Sequence, residues 1–362
     1  MNAQSPYVRS VIQSMAGYLP GEQPRDRSYI KLNTNENPYP PSPEVLSALT
    51  HAVSGDLRLY PDPIARELRS KAADVYGVSP ECIIAGNGSD DLLTMLFRAS
   101  VDAGQESSVA YPTPTYTLYD TLAAIQGATP KTVPFAADFS LPEGELLAKG
   151  ARLNIICNPN SPSGTLTPLS TIERFAAGTR GLVVVDEAYI DFAGGAGGAA
   201  SPSALSLLGR CPNLVVLRTF SKSFSLAGMR IGLGFASAEI IGELNKVKDS
   251  YNLDRLSLVA ARAALGDYAW MQANAAKVCA ARETLVAELR SLGFVVLPSQ
   301  ANFVFARSTS RDAGELYRAL REEGVLVRYF ATDALKDGLR ITVGTPDDTR
   351  ALIAALSKIA RA

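Results

Sequence analysis

Three short segments of this 362-residue chain carry side chains whose types and spacing can do chemistry. In Thr219-Phe220-Ser221-Lys222-Ser223 a lysine is framed by hydroxyls, and Arg230 follows eight residues after it. An amine beside an arginine and hydroxyls suits imine formation next to a bound phosphate. A second segment, 182–187, is an apolar run that ends in Asp186-Glu187. Carboxylates closing a buried strand are costly unless a cation meets them. A nucleotide-bound metal could be that cation, but the G-x-x-x-x-G-K-[ST] loop of such ATPases is missing from the chain. The third segment is Gly86-Asn87-Gly88-Ser89-Asp90-Asp91, a glycine turn between an expected strand and helix. Its backbone N–H groups could cradle a phosphate, although Asp91 stands where a dinucleotide fingerprint needs its third glycine.

Taken together, the segments ask for a phosphate, a cationic ring nitrogen and an aldehyde. Pyridoxal 5′-phosphate supplies all three, with Asp186 as partner of the ring nitrogen and Lys222 for the aldehyde.

Such residues must be held by strands and helices, and the pattern around them is α/β. Short, nearly unbroken apolar runs at 82–85, 109–111, 153–157, 182–185, 214–217 and 231–235 fit strands covered on both faces, as in a mostly parallel sheet. Ligands of such sheets gather at the carboxyl ends of the strands, where all three segments fall. Ser42 before Pro43 opens a helix that carries His51, and Ser170 with Glu173 predicts a capping box. Residues 237–292 read as largely helical. Strands near 294–297, 303–306, 325–327 and 339–343, with helices near 311–323 and 347–359, predict a second, smaller α+β domain. The expected division is a large cofactor-binding domain over 46–259, with 1–45 and 260–362 forming an N-terminal arm and the small domain. Gly194–Ala200 reads as a surface loop.

Composition narrows the chemistry further. Thirty-five basic against thirty-six acidic residues leave a net charge of -1, which argues against nucleic acid or an anionic membrane as partner. One histidine excludes a zinc site built on several imidazoles, and no metal site is expected. Four separated cysteines and the lack of a ~20-residue apolar span point to free thiols and the cytoplasm.

These residues closely resemble the fold-type-I pyridoxal-phosphate aminotransferases, and among them the histidinol-phosphate subgroup. The likeness rests on Leu32-Asn33-Thr34-Asn35-Glu36-Asn37-Pro38, Tyr60-Pro61-Asp62, the 186–189 segment, Ser221-Lys222 with Arg230, Arg328-Tyr329-Phe330, and the run from Leu339 to Pro346. It covers nearly the whole chain. The resemblance implies that Lys222 holds the cofactor and shuttles a proton, that Asp186 pairs with the ring nitrogen, and that Tyr189 donates to the ring oxygen. It implies that Gly88, Ser89, Asp90, Thr219, Ser221 and Arg230 surround the phosphate and that Tyr116 faces the ring. Tyr60 would reach the phosphate of a neighbouring subunit, making a homodimer. Arg340 would bind a substrate carboxylate, with Tyr18, Asn35, Glu36, Tyr251 and Arg328 completing the substrate pocket. The substrates implied are histidinol phosphate and glutamate or 2-oxoglutarate, in a ping-pong transamination. An aromatic amino-acid aminotransferase and a threonine-phosphate decarboxylase-like lyase share much of the pattern.

One departure stands out. The family segment Asn-Asn-Pro-Thr-Gly reads Asn160-Ser161-Pro162-Ser163-Gly164 here, so the ring-contacting asparagine falls on Ser161. Either Ser161 makes a shorter contact, Asn160 substitutes for it, or Tyr189 acts alone.

Overall fold

A computed structural model describes residues 6–15, 17–18, 21–102, 109–194 and 201–361. Strand β1 (Ile30–Lys31) belongs to the N-terminal arm. The strands of the central sheet follow as β2 (Ile83–Gly86), β3 (Val109–Thr113), β4 (Lys131–Pro134), β5 (Leu153–Cys157), β6 (Leu182–Asp186), β7 (Leu214–Thr219) and β8 (Gly232–Phe235). The C-terminal part adds β9 (Val295–Val296), β10 (Phe303–Arg307), β11 (Val325–Leu326), β12 (Arg328–Tyr329) and β13 (Gly338–Thr342).

The central sheet runs β2-β8-β7-β6-β5-β3-β4, and β8 alone is antiparallel to its neighbours. Along its middle strands, successive side chains point to opposite faces. Ile155, Val184, Val215 and Leu217 join one apolar cluster with Leu92 and Leu96. Ile156, Val183, Val185 and Val216 join the other, with Ile172 and Phe175. Both faces are therefore covered, which is why the runs read as unbroken rather than alternating.

In the C-terminal part β12-β13-β10-β9 form an antiparallel sheet, while β1 pairs in parallel with β11. The arm continues this stitching: Leu326 O accepts from Leu32 N, and Leu32 O accepts from Thr342 N. Helices 268–291, 313–322 and 346–361 pack on it. Among the described residues no helix is long and apolar enough to cross a membrane.

Several details differ from expectation. The helix Leu169–Gly178 starts beyond Pro168 and carries no side-chain cap, so the Ser170–Glu173 box does not form. Pro168 sits as N-cap with φ −60° and ψ 144°, which places Ser170 already inside the first turn. By contrast, Ser42 Oγ does accept from Glu44 N and caps the helix Pro43–Ala52. Strand β4 escaped the pattern because only Val133 in it is buried. The expected strand at 325–327 is two pieces that pair with different partners, β1 and β13. The Gly194–Ala200 loop lies, beyond Gly194, outside the described residues. Cys82, Cys157, Cys211 and Cys279 are free thiols.

Candidate active site

The carboxyl ends of β5, β6 and β7 open into a cavity of about 810 Å³, closed on its far side by the arm and by residues of the C-terminal sheet. Lys222, just past β7, is the only lysine among the described residues lining it. Its Nζ donates to Thr34 O at 3.4 Å and lies 5.7 Å from the Tyr189 ring centroid. Burial, seconded by the charge of Arg340, pulls this amine down to about 8 from its ordinary 10.5; Glu36 and Asp90 oppose the shift, and Arg230 adds only the smallest push. Loss of water around the amine therefore favours its neutral form more than the neighbouring cations do.

Asp186 and Glu187 divide into two roles because adjacent strand-end residues face opposite ways. Glu187 turns away from the cavity, accepting from Ser203 Oγ and Ala204 N (2.6 Å each) and pairing with buried Arg218 at 3.4 Å. Asp186 faces the cavity. Its Oδ2 accepts from Tyr119 Oη at 2.8 Å, while its buried Oδ1 has no protein partner. Burial pushes this carboxyl up to about 6.

The glycine turn and the Lys222 segment meet at Arg230. Gly88 has φ 80°, and a Cβ there would come within 2.6 Å of Arg230 Nη2. Only glycine allows that approach. Arg230 donates to Ser221 Oγ (3.3 Å) and pairs with Asp90 (3.2 Å), whose other oxygen accepts from Tyr116 Oη (3.3 Å). Ser89 opens the helix Ser89–Ser100, and Thr219 Oγ1 accepts from Ser221 N. The Asp90 carboxylate thus occupies Arg230, and only its backbone N–H, in the helix's first turn, suits an anion.

The departure at 160–161 resolves geometrically. Asn160 is turned off the cavity, its side chain used by Thr115, Pro114 and Ser163, so it does not take the ring-contacting place expected as one alternative. Ser161 lines the cavity and accepts from Arg340 Nη1 at 3.1 Å. Arg340 also donates to Asn33 O (3.0 Å), leaving its buried Nε without a partner. Arg328 and Tyr18 line the same wall. Glu36 does too, bonded to Lys31 and Thr34.

Tyr60 and Tyr251 are not brought into this cavity. They are 78% and 48% exposed and stack on one another, ring centroids 4.4 Å apart. His51 is exposed, its Nδ1 2.7 Å from Ser47 O. Tyr119 and Arg307 are among the site residues missed from the sequence. Tyr119, fully buried in the helix Leu118–Gln126, does not line the cavity but meets the site through its bond to Asp186. Arg307, at the end of β10 and 3.4 Å from Asp337, gave no local signal.

The geometry meets the demands of one cofactor: a buried carboxylate oxygen lacking a partner, a buried amine shifted toward neutrality, and a glycine-lined turn under an arginine. Comparison with known proteins agrees. The family described as "Aminotransferase class I and II" matches residues 27–356. Fold and site therefore define a pyridoxal-phosphate-dependent aminotransferase.

Within that class, the chain is 46% identical over 353 residues to the histidinol-phosphate aminotransferase of Syntrophotalea carbinolica, covering 97% of this chain and 99% of that one. It is 45% identical to histidinol-phosphate aminotransferase 2 of Burkholderia mallei, covering 98% and 99%. The crystal structure of the Sinorhizobium meliloti histidinol-phosphate aminotransferase with pyridoxal-5′-phosphate superimposes with a TM-score of 0.88 at 29% identity, covering 99% of both chains. The chain belongs to the histidinol-phosphate aminotransferase family.

The low value at Lys222 has a measurable consequence. Only the neutral amine can attack the aldehyde, and below about pH 8 its fraction rises about tenfold per pH unit. Mixing cofactor-free protein with pyridoxal 5′-phosphate should therefore give a rate of visible-band growth that climbs up to about pH 8 and then levels. A midpoint near 10.5 would show that burial does not act on this amine.

Proposed function

We propose that this chain transfers the amino group of L-histidinol phosphate to 2-oxoglutarate by a ping-pong route. The observation that carries the reading is the cavity itself, lined by Lys222 and Asp186 together with Arg340 and Arg328. One guanidinium suits the α-carboxylate of glutamate; the other suits a phosphate or second carboxylate. The nearly full-length likeness to enzymes of that name supports the same substrate.

When bound, pyridoxal 5′-phosphate supplies an aldehyde for the amino donor and an electron-withdrawing ring. The chain's residues do the rest. Gly88, Ser89, Thr219, Ser221 and Arg230 hold the phosphate, with the backbone N–H of Asp90. Asp186 keeps the ring nitrogen protonated. Tyr116 covers the ring and Tyr189 donates to its oxygen. Lys222 Nζ would take the proton from substrate Cα and return it at the cofactor's aldehyde carbon, two bonds away, which a neutral amine can do near pH 7 to 8. Tyr18 and Glu36 border the donor's side chain.

The protein acts as a homodimer in the cytoplasm. Support for the dimer is the exposed Tyr60–Tyr251 stack, an apolar pair at the surface that suits the cavity of a second copy. Residues 46–259 form the cofactor-binding domain, and 1–45 with 260–362 the arm and small domain, in keeping with a seven-stranded sheet within 83–235, a four-stranded sheet within 295–342, and the pairing of β1 in the arm with β11.

A panel of amino donors with 2-oxoglutarate as acceptor tests the reading. Histidinol phosphate should exceed phenylalanine in kcat/KM by about 10² or more, because a phosphate forms charge-assisted bonds to a guanidinium that a phenyl ring cannot. Equal values would favour an aromatic aminotransferase, and carbon dioxide release from phosphothreonine a lyase.

A further inference from the structure

Asn35 was expected in the substrate pocket, but its polar atoms are committed elsewhere. The residue is 1% exposed and turns the arm with φ 56°, a left-handed conformation that asparagine tolerates better than most side chains. Its N–H donates to Thr342 Oγ1 at 3.0 Å, and the Thr342 hydroxyl donates to Asn35 Oδ1 at 3.1 Å. Asn302 Nδ2 donates to Asn35 O at 2.9 Å. The remaining group, Asn35 Nδ2, donates to Tyr189 Oη at 3.1 Å. Two of these partners belong to the C-terminal part, and Tyr189 follows β6 of the central sheet.

A tyrosine hydroxyl has one proton and accepts through its oxygen. With Asn35 donating into that oxygen, the proton of Tyr189 must point elsewhere. The ring is fixed edge-on against Phe303, centroids 5.0 Å apart, so only rotation about the C–O bond remains. We infer that Asn35 is a positioning residue which turns the Tyr189 proton into the cavity, toward the ring oxygen of the cofactor, rather than a residue that binds substrate. The inference rests on the cofactor reading above.

The orientation of the Asn35 amide sharpens it. The opposite amide orientation would aim Oδ1 at Tyr189 and draw the proton out of the cavity. It would also leave Thr342 without its acceptor and set Nδ2 against an oxygen that already receives the Asn35 N–H. The hydroxyl of Thr342 thereby selects the orientation.

The test uses the holoenzyme without substrate, following the pH midpoint at which the bound cofactor's visible absorption changes. A donor to the ring oxygen lowers that midpoint. Tyr189→Phe removes the donor and should raise it by about one pH unit, a tenfold effect. Asn35→Ala should raise it by most of that amount, and the double variant should go no further, because both act through one proton. Asn35→Asp keeps the shape but accepts from Tyr189, and should raise the midpoint at least as much; it carries the test should the alanine variant not fold. Wild-type midpoints in both Asn35 variants would overturn the inference, as would shifts that add in full with Tyr189→Phe. A raised KM for the amino donor with an unmoved spectrum would overturn it too, in favour of substrate binding. If the wild type itself takes up pyridoxal 5′-phosphate with no visible band, the cofactor reading and this inference fall together.

Discussion

Lys222→Ala is expected to lower kcat/KM by on the order of 10⁴-fold or more and to abolish the visible absorption band of the holoenzyme. General base catalysis by a positioned side chain contributes about 10² to 10⁴, and the covalent hold on the cofactor is lost with it. Nothing nearby can substitute, since Lys222 is the only lysine among the described residues lining the cavity. A guanidinium is not a general base, so the arginines of the cavity cannot take over proton transfer. Lys222→Arg separates charge from proton transfer: it keeps the cation but cannot give a neutral base, and should be as inactive as alanine. The phosphate cradle is untouched in both, so pyridoxal 5′-phosphate should still bind, measured by quenching of protein fluorescence. An arginine variant with more than a few per cent of wild-type kcat would contradict the assignment of Lys222 as proton carrier.

Asp186→Asn should cost about 10²- to 10⁴-fold in kcat/KM, the equivalent of about 3 to 5 kcal/mol for breaking a buried charge pair. Its effect on stability should have opposite signs in the two forms of the protein. In the cofactor-free form the Asp186 carboxyl is raised from 3.8 to about 6 by burial. The native state thus holds its proton longer than the unfolded chain does, and stability falls as pH rises from about 4 through 6. At pH 7 the full cost is present, about 2 to 3 kcal/mol. Asparagine removes it while still able to accept from Tyr119. Cofactor-free Asp186→Asn should therefore melt several degrees above cofactor-free wild type at pH 7, with the gap closing by pH 4. With cofactor present the order should invert, because the wild-type carboxylate then meets the ring cation. Calorimetry of the four samples checks both signs. Equal melting temperatures for the cofactor-free pair would mean that Asp186 is not an uncompensated charge.

Much of the site was legible before any coordinates because its chemistry lies at strand ends, and strands announce themselves locally. The apolar runs before Asp186 and Thr219 marked where β6 and β7 stop, and the glycine turn marked the end of β2. Parallel-sheet topology then requires those ends to share one edge. Side chains that reach the site from elsewhere left no such mark. Arg307 ends a strand of a different sheet, and Tyr119, which bonds Asp186 without lining the cavity, looks like any buried aromatic on an amphipathic helix. Tyr251 could not be told from a pocket tyrosine until its stacking on Tyr60 carried it outside the cavity.

By itself the sequence determined the α/β class and the cofactor, and it singled out the lysine, aspartate and arginines proposed to serve it. Residue type and local period are properties of neighbouring positions, and they survive without a fold. The tertiary structure decided how each polar group is spent. It gave Glu187 to Arg218 and left Asp186 its open oxygen; it turned Asn160 inward and Ser161 toward Arg340; it set Asn35 against Tyr189, 154 positions away. A hydrogen bond needs donor and acceptor within about 3.5 Å, and at such separations along the chain only packing decides which groups come that close.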